Sequence, residues 1–184
     1  MLRRSGRNTG LAPRGPGRWV GVVVYILLLL IMQGVLSRLL DPLRIPAPDL
    51  FLLTGAALAW RFSPAWAVVA AYGVGLVQDV LGGGALGLHA AGVGAGAVLV
   101  LLVRRYVSDS GIFQALFTVL AATAGQWLAF LFLTYWLRSD LVTVDTLRQT
   151  VPLALLSTGL IYPFWNRLVT WGMGERPGPE DGLS

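Results

Sequence analysis

The sequence contains no cysteine and no lysine. The first absence excludes disulfides and thiolate metal sites and leaves the redox compartment unreadable. The second leaves arginine to carry the positive charge, apart from a single histidine. Charge of either sign is scarce: 12% of the 184 residues are charged, about half the share of an ordinary soluble domain. A chain so poor in charge cannot clothe itself for water, so much of its surface must meet lipid. Alternation of polar and apolar residues is also missing, which excludes a transmembrane β-barrel. There is no HExxH, no GxSxG and no GxxxxGK[ST], so zinc peptidase, serine hydrolase and phosphate-loop chemistry have no footing. Ser157, Thr158 and Tyr162 are hydroxyls in an apolar run with no second histidine to serve as base. The chain is read as non-enzymatic, with no cofactor and no metal.

What is present is a succession of apolar runs; 55% of the residues are hydrophobic. Six segments emerge: Trp19–Leu36, Leu50–Phe62, Pro64–Leu81, Leu86–Val103, Ile112–Leu137 and Val151–Val169. They predict an all-α polytopic membrane protein with six transmembrane helices. The second is short, about 20 Å of helix against a hydrocarbon core of about 30 Å. Pro64 suits a first helical turn, the glycines after Leu81 break the third segment, and Pro163 predicts a kink in the sixth. Residues 1–17 read as a disordered basic tail before an uncleaved first helix, residues 18–172 as the transmembrane domain, and residues 173–184 as a flexible tail.

With six crossings and a cytoplasmic N-terminus, Arg3, Arg4, Arg7, Arg14, Arg18, Arg61, Arg104, Arg105, Arg167 and Arg176 fall inside. Arg38, Arg44, Arg138 and Arg148 fall outside. That asymmetry predicts both termini in the cytoplasm and assigns the formal charge of +5 to topology rather than to nucleic acid. Trp19, Trp60, Trp66, Trp136 and Trp171 fall near predicted boundaries as interfacial anchors, while Trp127 and Trp165 lie deeper and read as packing residues.

Few polar residues interrupt the apolar runs. Asp79, beside Gln78, lies deep in the third segment, where a carboxylate must face protein or water. Its readings are a helix-end carboxylate held by turn amides, a contact between helices or with a partner, and an ion or solute site. His89 follows ten residues later, and an antiparallel pair of helices would bring the two to similar depth for a hydrogen bond. One histidine and one carboxylate fall short of a metal site. Gly83 and Gly87, then Gly92 and Gly96, are spaced four apart and provide smooth faces on which helices approach closely in lipid. Gln126 can hydrogen-bond across helices in the middle of the fifth segment, worth about 1 kcal/mol. Asp49 closes a charged, proline-restricted turn with Arg38, Asp41 and Arg44 that reads equally as an exposed docking surface or as a short hydrated loop.

Pro48-Asp49-Leu50, the block Gly73-Val74-Gly75-Leu76-Val77-Gln78-Asp79-Val80-Leu81-Gly82-Gly83, and Leu86-Gly87-Leu88-His89-Ala90 together resemble the rod shape-determining membrane protein MreD family. The distinctive stretch runs from Pro48 to about Gly96; the first, fifth and sixth segments match only as hydrophobic helices. The resemblance implies a non-enzymatic subunit of the bacterial cell-elongation machinery in the inner membrane. The implied partners are MreC and, through it, MreB, a SEDS glycosyltransferase and a class B penicillin-binding protein. It also implies a fold similar to the membrane substrate-binding subunit of energy-coupling-factor transporters. Asp49, Gln78, Asp79, Gly83, Gly87 and His89 carry the family-like motifs and, with Gly92 and Gly96, are read as partner-contact or structural positions. The rival reading is a solute-binding membrane subunit of a small-molecule, vitamin-like transporter. Whether the chain pairs with a copy of itself stays open.

Overall fold

A computed structural model describes residues 17–82, 86–107, 111–138 and 143–173. The basic leader, the C-terminal tail and Gly83 lie outside the described residues. Among the described residues six α-helices follow in order: α1 (Gly17–Leu40), α2 (Leu50–Arg61), α3 (Pro64–Gly82), α4 (Leu88–Val103), α5 (Ile112–Trp136) and α6 (Val144–Met173).

Local chemistry sets most of the boundaries. Pro42 cannot donate to a continuing helix, and α1 gives way to a short 3-10 turn over Asp41–Leu43. Arg44 closes that turn in the left-handed region at φ 55°. Pro46 and Pro48 then hold the chain off helical geometry until Asp49, which stands extended and caps α2. Phe62 is extended again, and Pro64 opens α3 at the position where its missing N–H costs nothing. Gly87, at φ 96°, turns the chain into α4 in a conformation that L side chains avoid.

The centre of the molecule is α2. Every residue from Leu50 to Arg61 is buried, and α2 packs against each of the other five helices. Leu52, Ala56, Ala59 and Trp60 lie against Ala67 and Ala71 of α3, Val93 and Ala97 of α4, and Ala122 of α5. Leu50, Phe51, Leu53 and Ala57 lie against Tyr25 and Leu29 of α1 and Tyr162, Trp165 and Val169 of α6. Helical spacing thus gives one short helix two core faces. Gly21 approaches Gly172, so the start of α1 and the end of α6 share one end of the bundle.

The expected six crossings are corrected by this arrangement. Among the described residues, three helices are long and apolar enough to cross a membrane: Val20–Leu43 (α1 with its terminal turn), Pro64–Gly82 and Ile112–Trp136. The 12 residues of α2 and the 16 of α4 make about 18 and 24 Å of helix, short of a hydrocarbon core of about 30 Å. α6 has 30 residues but is not among the candidate spans. It takes Asp145 and Arg148, which lie between the fifth and sixth apolar runs of the sequence, into its first turns. Hydropathy registers how apolar a segment is and cannot distinguish a helix surrounded by protein from one surrounded by lipid. Trp60 illustrates the same confusion. Read as an interfacial anchor, it is buried and donates its indole N–H to Thr118 Oγ1 at 3.1 Å. Trp66, Trp136 and Trp171 do stand exposed, and Trp165 is buried.

Candidate functional site

Asp79 lies near the end of α3 with its side chain fully buried. Its Oδ1 accepts the His89 backbone N–H at 2.9 Å and the His89 Nδ1–H at 2.8 Å. Its Oδ2 accepts the backbone N–H groups of Gly87 at 2.9 Å and Ala90 at 3.1 Å. Those three amides open α4, where the first N–H groups have no partner within the helix. Gly87 has no side chain with which to cap them, so Asp79 does so from the preceding helix. A negative group at a helix N-terminus also meets the favourable end of the helix dipole. The amide reading and the Asp79–His89 contact therefore coexist.

His89 ties this junction to α5. Its ring, one-third exposed, meets Phe130 edge-on at 5.7 Å, and Phe130 meets Trp127 in the same manner at 5.6 Å. Below the carboxylate, α3 and α4 touch backbone to backbone. A Cβ on Gly75 would lie 2.5 Å from the His89 carbonyl oxygen and 2.6 Å from the Ala90 Cα.

A second carboxylate performs the same task for α2. Asp49 Oδ1 accepts the Leu52 N–H at 2.9 Å, and Oδ2 accepts Nε2 of Gln126 from α5 at 2.6 Å. The Asp49 N–H is given to Thr158 Oγ1 of α6 at 3.3 Å, and the Leu50 N–H to Gln33 Oε1 of α1 at 2.9 Å. Side chains of three other helices thus meet at the start of α2. At its opposite end, Arg61 donates to the Ala57 carbonyl at 3.1 Å and to Thr170 Oγ1 at 2.9 Å. Arg104, which caps the end of α4, reaches the carbonyls of Ala59 and Phe62. Acid at the start and arginine at the end complement the dipole of a helix that is buried along its length. Midway, Thr54 Oγ1 bonds its own turn at Leu50 O (2.7 Å) and meets Tyr25 of α1 (2.6 Å) and Trp165 of α6 (3.2 Å).

In lipid these contacts matter more than the apolar ones, because an apolar side chain gains little by exchanging lipid tails for protein. What places α2 is the satisfaction of its ends, at roughly 1 kcal/mol per interhelical hydrogen bond, together with small residues that admit close approach. Gly96 belongs to that set: a Cβ there would meet Ala122 O and Leu52 Cδ1 at 2.8 Å. Gly92 faces Phe130 and Gln126 across the same α4–α5 seam. Of the residues singled out above, Asp49 and Gln126 form one cluster, while Asp79, Gly87 and His89 form another. Gln78 joins neither; it is half-buried, and its Oε1 has no partner. Gln33, Thr54 and the two-arginine closure of α2 had no sequence signal beyond being polar residues in or beside apolar runs.

Among the described residues there is no group of three or more metal-ligating side chains. A cavity of about 760 Å³ lies between the first turns of α5 and the second half of α6, with Leu116, Leu120, Leu155 and Gly159 in its wall.

No family model, no curated protein and no solved structure matches this chain. The expected likeness to the energy-coupling-factor subunit accordingly has no counterpart among solved structures.

Proposed function

We propose that this protein is a non-enzymatic scaffold subunit of the bacterial cell-elongation complex, an MreD-like protein that binds the membrane helix of MreC. The observation that carries the reading beyond the motif resemblance is the outer face of α3. Asp79 and Gly75 on the inner face are taken up by α4, whereas Gly73 on the outer face has nothing within 4 Å of where its Cβ would lie. Trp66, Val69, Val77 and Val80 stand exposed on the same helix. A glycine notch among larger apolar residues lets a second transmembrane helix approach closely, which is how helices associate where the hydrophobic drive is absent. The capped ends of α2 and α4 would keep that face rigid.

Orientation belongs to the proposal. Arg61, Arg104, Arg105 and Arg167 gather at the end of the bundle where α1 begins and α6 ends, and the arginine-rich leader joins α1 there. By the positive-inside rule that end faces the cytoplasm. The transporter reading would require a solute pocket with several converging polar groups; the α5–α6 cavity has mostly aliphatic walls.

Affinity purification of the full chain from native membranes tests the function. The native protein should recover an MreC-like protein, and Gly73→Leu should reduce recovery by about tenfold, equivalent to about 1.4 kcal/mol. Recovery of an ATPase pair instead, or undiminished capture by Gly73→Leu, would refute the proposal.

A further inference from the structure

The cavity between α5 and α6 is polar at one end and apolar along the rest. Gly111, Gln114, Asn166 and Arg167 line the end nearest the start of α5, and the remainder is mainly apolar, with leucines, Val119, Pro163 and Tyr162 in its wall. Along α5 the lining runs from Gly111 to Leu120, about 13 Å at the helical rise. Its volume, about 760 Å³, lies within the range of sites that hold a bound small molecule, about 300–1,000 Å³.

At the polar end Gln114 presents an unmet donor. It is 6% exposed, and its Nε2 has no hydrogen-bond partner. A buried amide N–H₂ left without an acceptor is costly, and Gln114 is buried too deeply for bulk water to reach it. The missing partner is therefore an acceptor. Arg167, exposed at the same end, adds a full positive charge, and the α5 N-terminus adds the positive end of its dipole.

We propose that this cavity binds one anionic phospholipid, with its phosphate between Gln114 and Arg167 and an acyl chain along the aliphatic wall. Donors and positive charge gather where a headgroup would lie, and the remaining lining suits hydrocarbon. The polar end lies at the arginine-rich end of the bundle, where anionic headgroups of the cytoplasmic leaflet would be available. Capture of a protein partner by α3 and lipid binding here involve different helices, so either can fail without the other.

The test measures the thermal midpoint of the full chain, purified in a neutral detergent, with added phosphatidylglycerol, phosphatidylcholine or inorganic phosphate. Phosphatidylglycerol should raise the midpoint by about 5 °C or more at saturation, and the other two should have little effect. Gln114→Leu removes the unpartnered group, so its midpoint without lipid should equal or exceed that of the native chain while its response to phosphatidylglycerol largely disappears. A merely structural glutamine would move the lipid-free midpoint down. Arg167→Gln should also blunt the response. Equal shifts from phosphatidylcholine, an equal shift from phosphate alone, or an undiminished response in Gln114→Leu would each overturn the proposal. So would occupation of the cavity by a partner's helix or a second copy, seen as photo-cross-links from a probe attached to Leu156→Cys or Leu160→Cys.

Discussion

Asp79 and His89 touch, yet their roles in stability are unequal. Asp79→Ala would strand three backbone N–H groups at the start of α4, and each buried unsatisfied donor costs about 1–3 kcal/mol. His89→Ala removes one hydrogen bond from a ring that is partly exposed, at a cost of about 1 kcal/mol. Unfolding in mixed detergent should therefore rank Asp79→Ala as at least twice as destabilising as His89→Ala. Equal losses would mean that the ring, not the amides, is what the carboxylate serves. The partnership was legible because the two residues flank one short turn, so sequence distance bounded their separation. Asp49 and Gln126 are 77 positions apart, and no local pattern joins them; only the finished bundle does. Thr54 was less visible still. A threonine within an apolar helix leaves the hydropathy unchanged, and the tyrosine and tryptophan that meet its hydroxyl come from α1 and α6.

At the scale of elements, glycines that look alike in sequence divide sharply in the bundle. A Cβ on Gly125 would meet Ala95 O at 2.6 Å and Gly96 Cα at 2.7 Å, and one on Gly75 would meet α4 backbone just as closely. Backbone cannot rotate aside as a side chain can, so Gly75→Ala and Gly125→Ala must each push a pair of helices apart. Each should lose about 1–3 kcal/mol, the usual cost of overpacking. Gly73→Ala and Gly34→Ala meet nothing within 4 Å and should match or slightly exceed native stability, since alanine favours helix by up to about 1 kcal/mol. The same unfolding measurement separates the pairs, and loss at Gly73 equal to that at Gly75 would refute the packing argument. Glycine richness marked α3 and α4 as tightly packed; which face of each helix was involved depended on contacts that spacing does not encode. α2 marks the limit on the other side. Its apolar run looked like a shortened crossing because burial by five helices and burial by lipid select the same side chains. Its short length and the Asp49 before it were the available signs that its ends would need partners inside the protein.

For the molecule as a whole, the lack of cysteine turns orientation into a direct measurement. Ser63, between α2 and α3, lies at the bundle end that holds Arg61 and Arg104, and Leu43 lies beyond α1 at the opposite end. Both are exposed, and neither makes a side-chain hydrogen bond among those described, so Ser63→Cys and Leu43→Cys should leave the fold intact. If the arginine-rich end faces the cytoplasm, a membrane-impermeant maleimide added to intact cells should label Leu43→Cys and spare Ser63→Cys until the membrane is opened. Labelling of Ser63→Cys alone would invert the protein. The phosphate end of the α5–α6 cavity would then open toward the outer leaflet, and the arginines would have to be explained by something other than topology. Labelling of both in intact cells would mean that the two ends of the bundle are not separated by the membrane at all. Because α2 and α4 are too short to span by themselves, this experiment bears on more than direction. It measures whether the ends that Asp49, Asp79, Arg61 and Arg104 close off lie on opposite sides of the bilayer, as a scaffold held across it requires.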